Sequence, residues 1–378
     1  MNGSSFGNYF KITTFGESHG AALGVIVDGC PAGVLLSAEY IQSYLDRRRP
    51  GQNLYSTPRK ENDLVEILSG VFEGKTTGTP IALLIRNESQ RSADYSEIAS
   101  YYRPGHADFT FDAKYGFRDY RGGGRSSGRE TAARVAAGAV ACALLKELGI
   151  TVCAYAKSIH ETVCFETKEY LSERFSLSEL AAMRDQSPLN MPDSKASALA
   201  ESFLNEMRGR HDSAGGTIEC VLSGLPAGLG DPVFDKFDAR LAQAMLSVGA
   251  VKGFEIGSGF EAAILTGTEQ NDAFYTEEDG SVRKRTNRAG GVLGGMTDGS
   301  DVLFRVAVKP TPSIGAPQET IKKDGTSYTA KVTGRHDPVI VPRAVVVIEC
   351  MAALTAADAL LGNLGSRLEY LKKIYCES

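Results

Sequence analysis

Arg118, Arg121, Arg125, Arg129 and Arg134 crowd one short stretch, against only Asp119 and Glu130. Gly122, Gly123 and Gly124 lie among them, and Ser126 and Ser127 follow. A helix is expected to start here. Ser127 and Glu130 have the spacing of a capping box, Ala, Gly, Val and Leu dominate beyond them, and Gly149 stands where a helix would end. A helix N-terminus carries about half a positive charge and free N–H groups, so arginines gathered there require an anion. Glycines let the backbone approach such a ligand closely. The chemistry indicated is phosphate binding, with a solvated basic loop or an RGG-type nucleic-acid contact as the alternatives. Just upstream, Arg103-Pro104-Gly105-His106-Ala107-Asp108 adds a histidine, a group that changes charge near neutral pH.

A second histidine sits near the start, in Gly16-Glu17-Ser18-His19-Gly20. The flanking glycines mark a tight loop that exposes both side chains, but adjacent Ser and His do not make a hydrolase triad, and the pattern is not the GxSxG elbow. A structural and a catalytic role for His19 both stay open. Arg47, Arg48 and Arg49 close a helix expected to start after Ser37; cations suit a helix C-terminus, and the three are equally a second anion contact. No GxxxxGK[ST] phosphate loop occurs.

These groups sit in an acidic chain of 378 residues with net charge −5, which disfavours nucleic acid or an anionic membrane as partner and makes the arginine cluster a local feature. The hydrophobic share, 42%, is that of a globular protein. The seven cysteines include no CxxC pair, so neither a disulfide framework nor a metal site is indicated. No leader opens the chain and Glu349 interrupts its longest apolar stretch, which predicts a soluble, cytoplasmic protein.

Strands are expected at 9–15, at Leu23 to Val27 and as a pair within 64–86, with a surface excursion at 87–102. Residues 160–214 turn polar and read as an appendage with weak helical pattern at 177–208. Then features recur in order. Gly224-Leu225-Pro226-Ala227-Gly228 repeats Gly29-Cys30-Pro31-Ala32-Gly33, and Gly291 to Gly299 matches Gly70 to Gly78 at five of nine positions. Gly334-Arg335-His336-Asp337-Pro338 precedes a small-residue helix as Arg103 to His106 precede the first. The expectation is one domain over 1–378 with related halves, about 9–149 and 217–361, joined by a pseudo-two-fold. His19 and His106 would then face Arg335 and Asp337, beside the rigid loop Lys309-Pro310-Thr311-Pro312-Ser313.

GESHG, DRRRPG, RPGHADFT, RDYRGGGRSSGRETAARVAAGA, NRAGGVLGGM, KPTPSI and GRHDPVIVPRA, in this order, resemble the chorismate synthase family across residues 16–344. The resemblance implies an α+β sandwich of antiparallel sheets held between helices, a homotetramer, and a lyase of the shikimate pathway. Its reaction is the trans-1,4 elimination of phosphate from 5-enolpyruvylshikimate 3-phosphate to give chorismate, with reduced FMN as cofactor. It implies His19 as proton donor to the leaving phosphate, His106 beside the reduced flavin, and Asp337 with Ser18 and Ser127 as a proton relay. Arg48, Arg129, Arg134 and Arg335 become candidates for the substrate's anions. Arg125, Ser126, Ser127, Gly249, Ala250, Gly294, Lys309, Pro310, Thr311, Pro312, Ser313 and Arg335 become candidates for FMN. Gly249 departs from the Asn of many relatives, and Leu54 from a basic residue. Some members reduce their own flavin with NADPH; no GxGxxG fingerprint follows a strand here, so a monofunctional enzyme served by an external flavin reductase is expected.

Overall fold

The computed structural model describes residues 3–51, 55, 61–87, 97–165, 175–331 and 337–376. The first half opens with β1 (Ser5–Phe6), β2 (Lys11–Gly16) and β3 (Ala22–Asp28), then α1 (Ala38–Arg48). Next come β4 (Val65–Ile67), the small hairpin β5–β6 (Val71–Phe72 and Lys75–Thr76) and β7 (Ile81–Arg86). The short α2 (Asp108–Tyr115) and the long α3 (Thr131–Glu147) complete it. All strand pairs are antiparallel, and the sheet order is β1-β2-β3-β7-β4.

The second half starts at β8 (Thr151–Ile159), well before the repeated turn that reveals it in the sequence. It continues through β9 (Thr162–Val163), α4 (Leu177–Gln186), α5 (Ser194–Arg210) and β10 (Gly216–Ser223). Then follow α6 (Phe237–Leu246), β11 (Val251–Ile256) and the surface hairpin β12–β13 (Phe274–Thr276 and Val282–Lys284). The hairpin β14–β15 (Val292–Leu293 and Met296–Thr297), β16 (Val302–Val308), the hairpin β17–β18 (Gln318–Ile321 and Ser327–Ala330) and α7 (Val341–Gly362) close it. Its sheet runs β9-β8-β10-β16-β11, in which β8, β10, β16 and β11 follow the path of β2, β3, β7 and β4.

The repeat extends to single hydrogen bonds. Gly33 N–H donates to Thr76 O at 2.8 Å, and Gly228 N–H to Thr297 O at 2.7 Å. The Thr76 hydroxyl donates to Pro31 O and accepts from Val34 N–H; the Thr297 hydroxyl does the same with Pro226 O and Leu229 N–H. A buried hydroxyl with both partners supplied fixes each turn against its hairpin.

The helices form the middle of the molecule. On the first sheet, alternation sends Leu23, Val25, Val27, Ile81, Leu83 and Ile85 inward against α3 and α1. On the second, α7 and α6 cover the inner face. α3 and α7 pack on each other so closely that a Cβ on Gly138 would collide with the Cys350 side chain. α7 is long and apolar enough to cross a bilayer, but it is mostly buried in this core. Glu349 does not break it. Arg47 and Arg184 neutralise the buried carboxylate, tying α1 and α4 to α7.

Residues 177–210, read as part of a polar appendage, are built into the fold. α4 lies over the outer face of the second sheet, against β8, and α5 follows beside the edge strand β9. Leu180 packs on Cys153 and Tyr155, and Ala200 and Leu204 join the main core. The weak apolar pattern hid this because the contacts come from small and scattered side chains.

Candidate active site

The loops at one end of both sheets meet where the two halves join. The first half contributes the β2–β3 turn, Asn87 after β7, Asp63 before β4, the C-terminus of α1 and the approach to α3. From the second come Lys309 after β16, Ala250 before β11 and Asp337 ahead of α7. Asp63 and Ala250 occupy matching places ahead of their strands, and both have left-handed backbone, φ 50° and 73°. Such strain in non-glycine residues is tolerated where the surroundings fix the chain.

His19 and His106 are held on neighbouring loops. Ser18 Oγ lies 3.1 Å from His19 Nδ1. Gly122 packs on them: a Cβ there would come within 2.5 Å of the His19 ring and 3.1 Å of Ser18 Oγ. Only glycine fits. His106 Nδ1 is 2.9 Å from Asp108 Oδ1. Burial alone would raise the pKa of Asp108, but hydrogen bonds from Arg103 and His106 outweigh it and hold the carboxyl well below its usual range.

The arginines are drawn together by acids that the sequence did not point out. Arg48, Arg129, Asp63 and Glu61 are all buried. Arg48 Nη2 donates to Asp63 Oδ2 at 2.6 Å, and Arg129 Nη1 to Asp63 Oδ1. Arg129 Nη2 lies 3.1 Å from Glu61 Oε2. Burial pushes the Arg48 guanidinium down to about 10 against the opposing pull of Asp63, so it stays charged at neutral pH. Burial acts to raise Asp63, and the two arginines more than offset it and lower its pKa. Asn87 bridges this cluster to the histidine loop. It accepts from Arg129 Nε at 2.9 Å and donates to Glu17 O and Gly20 O. On the other side, Arg343 donates from Nε to Arg48 O at 3.2 Å and from Nη1 to Asp337 Oδ2 at 2.7 Å.

The remaining arginines serve mainly the protein itself. Arg125 donates to Gly16 O and to the carbonyl and hydroxyl of Thr14. Arg134 binds Ser247 and Glu130, and Arg121 binds Asp119. Arg118 binds the carbonyls of Ile98 and Tyr101. The expected capping box is absent: Ser127 Oγ accepts from Arg129 N–H in a 3-10 turn, and α3 starts only at Thr131. Glu130 turns to Arg134 instead.

Of the loop after β16, Lys309 Nζ donates to Gly105 O at 3.0 Å, and Pro312 lies 3.0 Å from a Cβ built on Gly105. Burial and nearby Lys252 lower the Lys309 pKa. Gly249 faces Ser126 O, at 4.0 Å from a built Cβ. Thr311 accepts from Ser213 and Pro312 from Gln318 through their carbonyls, and Ser313 ends the loop. Gly294 turns the β14–β15 hairpin, whose Gly295 O receives Phe237 N–H at the start of α6, the helix at whose other end Ala250 follows. Arg335 and Leu54 lie outside the described residues.

A cleft of about 470 Å³ opens beside the histidines, with Glu17, His106, Phe111, Tyr115, Phe117 and Ser126 in its wall. Its aromatic sides and the backbone of Gly122 to Gly124 suit a flat ring. In the arginine cluster, Arg48 Nε is buried with no hydrogen-bond partner among the described residues, a donor left over for an anion. The sequence carried no signal for Asp63 or Glu61, and Arg343 lay unremarked within GRHDPVIVPRA. Asp108 lay within a motif already singled out for its histidine.

A family model described as chorismate synthase matches residues 10–361. A chorismate synthase of Lachnoclostridium phytofermentans is 62% identical over 99% of this chain and 100% of its own length. That of Agathobacter rectalis is 59% identical over 99% of both. Among solved structures, a crystal structure of chorismate synthase superimposes with a TM-score of 0.78 at 34% identity, covering 98% of each chain.

Proposed function

Because the chain belongs to the chorismate synthase family, we propose that it eliminates phosphate from 5-enolpyruvylshikimate 3-phosphate in a trans-1,4 sense to give chorismate, as a carbon–oxygen lyase that requires reduced FMN. The observation that carries this reading is the placement of His106 in the wall of a cleft whose Gly122 packs on Ser18 and His19, with Asn87 tying the His19 loop to the Arg48–Arg129 cluster. A substrate bearing one phosphate and two carboxylates needs fixed cations, and arginine offers them as planar donors.

In this reading Arg48, Arg129, Arg134 and Arg335 orient the substrate's anions. His19 gives a proton to the departing phosphate, and Ser18 holds its ring through Nδ1. His106 keeps a proton available beside the flavin. Asp337, with Ser18 and Ser127, passes on the proton lost from the substrate. Lys309 to Ser313, Gly249, Ala250, Gly294, Arg125, Ser126 and Ser127 hold the flavin. The chemistry that bound reduced FMN supplies is electron density for the substrate as phosphate leaves, and a basic nitrogen for the C6 proton.

The enzyme is proposed to be monofunctional and cytoplasmic, with a separate reductase as its electron source. A homotetramer is also proposed, and the support for it is the bare apolar outer face of the first sheet, where Phe15, Ile26 and Leu68 are exposed. The test is an anaerobic assay of phosphate release and chorismate absorbance. Product with reduced FMN, and none with oxidised FMN, is expected; no product under strictly reducing conditions would sink the proposal. Turnover with NADPH and oxidised FMN alone would overturn the monofunctional assignment. Sedimentation velocity decides the tetramer.

A further inference from the structure

His106 in the cleft wall and His19 against Gly122 are both tied to one buried ion pair. Arg103 and Asp108 close on each other through three hydrogen bonds: Arg103 N–H and Nε donate to Oδ2 at 3.1 and 2.8 Å, and Nη2 donates to Oδ1 at 2.8 Å. Oδ1 also faces His106 Nδ1 at 2.9 Å, and Arg118 Nη1 stands 3.8 Å away. A carboxylate held by two guanidinium groups is ionised and can only accept, so the proton of that contact belongs to His106 Nδ1. In the neutral ring this leaves Nε2 bare.

Arg103 also reaches the other histidine. Its Nη2 donates to Gly122 O at 3.1 Å, and Gly122 is the residue on which the His19 ring packs. Both residues are buried and their charged ends are directed at each other, with Asp108 set in the cleft wall beside His106.

We propose that Arg103 and Asp108 are the positioning residues for both histidines. Asp108 fixes His106 as the Nδ1–H tautomer, so that Nε2 exchanges protons with the cleft, and Arg103 carries the same frame through the Gly122 carbonyl to His19. The catalytic consequence rests on the chorismate synthase reading; the placement of the rings does not.

The test is solid-state 15N NMR of the full chain labelled at histidine, near neutral pH, with His106→Ala and His19→Ala assigning the signals. The neutral His106 signal is expected to be Nδ1–H in the wild type. In Asp108→Asn the amide turns its oxygen to Arg103 and its NH2 to the imidazole, which must then carry its proton on Nε2. Turnover in that variant should fall at least tenfold in kcat, with KM changing less than threefold. Arg103→Lys keeps the charge but loses the Gly122 bond, and should shift the His19 signals. An Nε2–H tautomer in the wild type overturns the proposal whether or not any variant folds. So does an unchanged His106 signal in Asp108→Asn, or unchanged His19 signals in Arg103→Lys. An inactive wild type with the expected spectra would instead count against the proposed reaction alone.

Discussion

The two halves share a sheet path, a pair of helices and a threonine-locked turn, yet they differ sharply in the link between their first two long strands. In the first half, residues 17–21 make that link and carry Ser18 and His19. In the second, residues 160–215 leave from the same point, build α4 and α5 and return to β10. One link brings chemistry to the cleft; the other brings cover to a sheet face. The same contrast holds ahead of β4 and β11, where Asp63 binds two arginines and Ala250 offers only backbone. The shared frame therefore sets where loops emerge, and the residues that depart from the repeat decide what each loop does.

The strongest way to break this contrast is at the histidines. His19→Ala and His106→Ala should each lower phosphate release by about 10²–10⁴-fold, the usual contribution of a positioned acid or base, with little change in thermal unfolding. His160→Ala alters the start of the second half's link, where the ring stacks on Phe203; its turnover should stay within about twofold of wild type on the view that this ring serves packing alone. Comparable losses in all three would mean that the link does not divide chemistry from cover.

Next in size is the cover itself. Leu204→Ala empties a buried site and should cost about 2–5 kcal/mol in urea unfolding. A cost well under 1 kcal/mol would mark α5 as detached from the core.

The shared turn provides a matched pair. Thr76→Val and Thr297→Val each leave a buried N–H and a carbonyl without their partner, and each should cost about 1–3 kcal/mol. The frame is symmetric only if the two values agree to within about 1 kcal/mol.

The smallest effect is the acid limb of stability. Asp63 and Asp108 have folded-state pKa values below those of the unfolded chain. Their contribution is complete above the unfolded value of about 4 and is lost as pH falls through the lower folded values. Asp63→Asn should flatten the loss of stability below about pH 4, measured by unfolding at stepped pH. An unaltered acid limb would show that Asp63 does not gain its charge through the two arginines.

The frame was legible because it depends on backbone rules. Turns that need glycine at Gly33 and Gly228, beside a threonine that satisfies them, repeat visibly along the chain. β8 escaped because no turn motif announces it; only its pairing with β10 assigns it to the second half. Glu349 read as an interruption, since the arginines that neutralise it are remote in sequence. The histidines and Arg48 were legible as types of chemistry, whereas Asp63, Asn87 and Arg103 acquire their roles only through partners that tertiary structure brings to them. Arg118 and Arg121 show the converse: in a basic cluster, sequence cannot say which cations the protein keeps for itself.

The unequal links also bear on the order in which the molecule assembles. Closing a connection about ten times longer costs roughly 2 kcal/mol more chain entropy, so β2 and β3 can pair early, while β8 must wait for α4, α5 and β10 to emerge from the ribosome. Synthesis from the N-terminus favours the same sequence of events. The first sheet thus becomes the template on which α3 settles, and the second half docks through Gly138 and Cys350 onto a surface already formed.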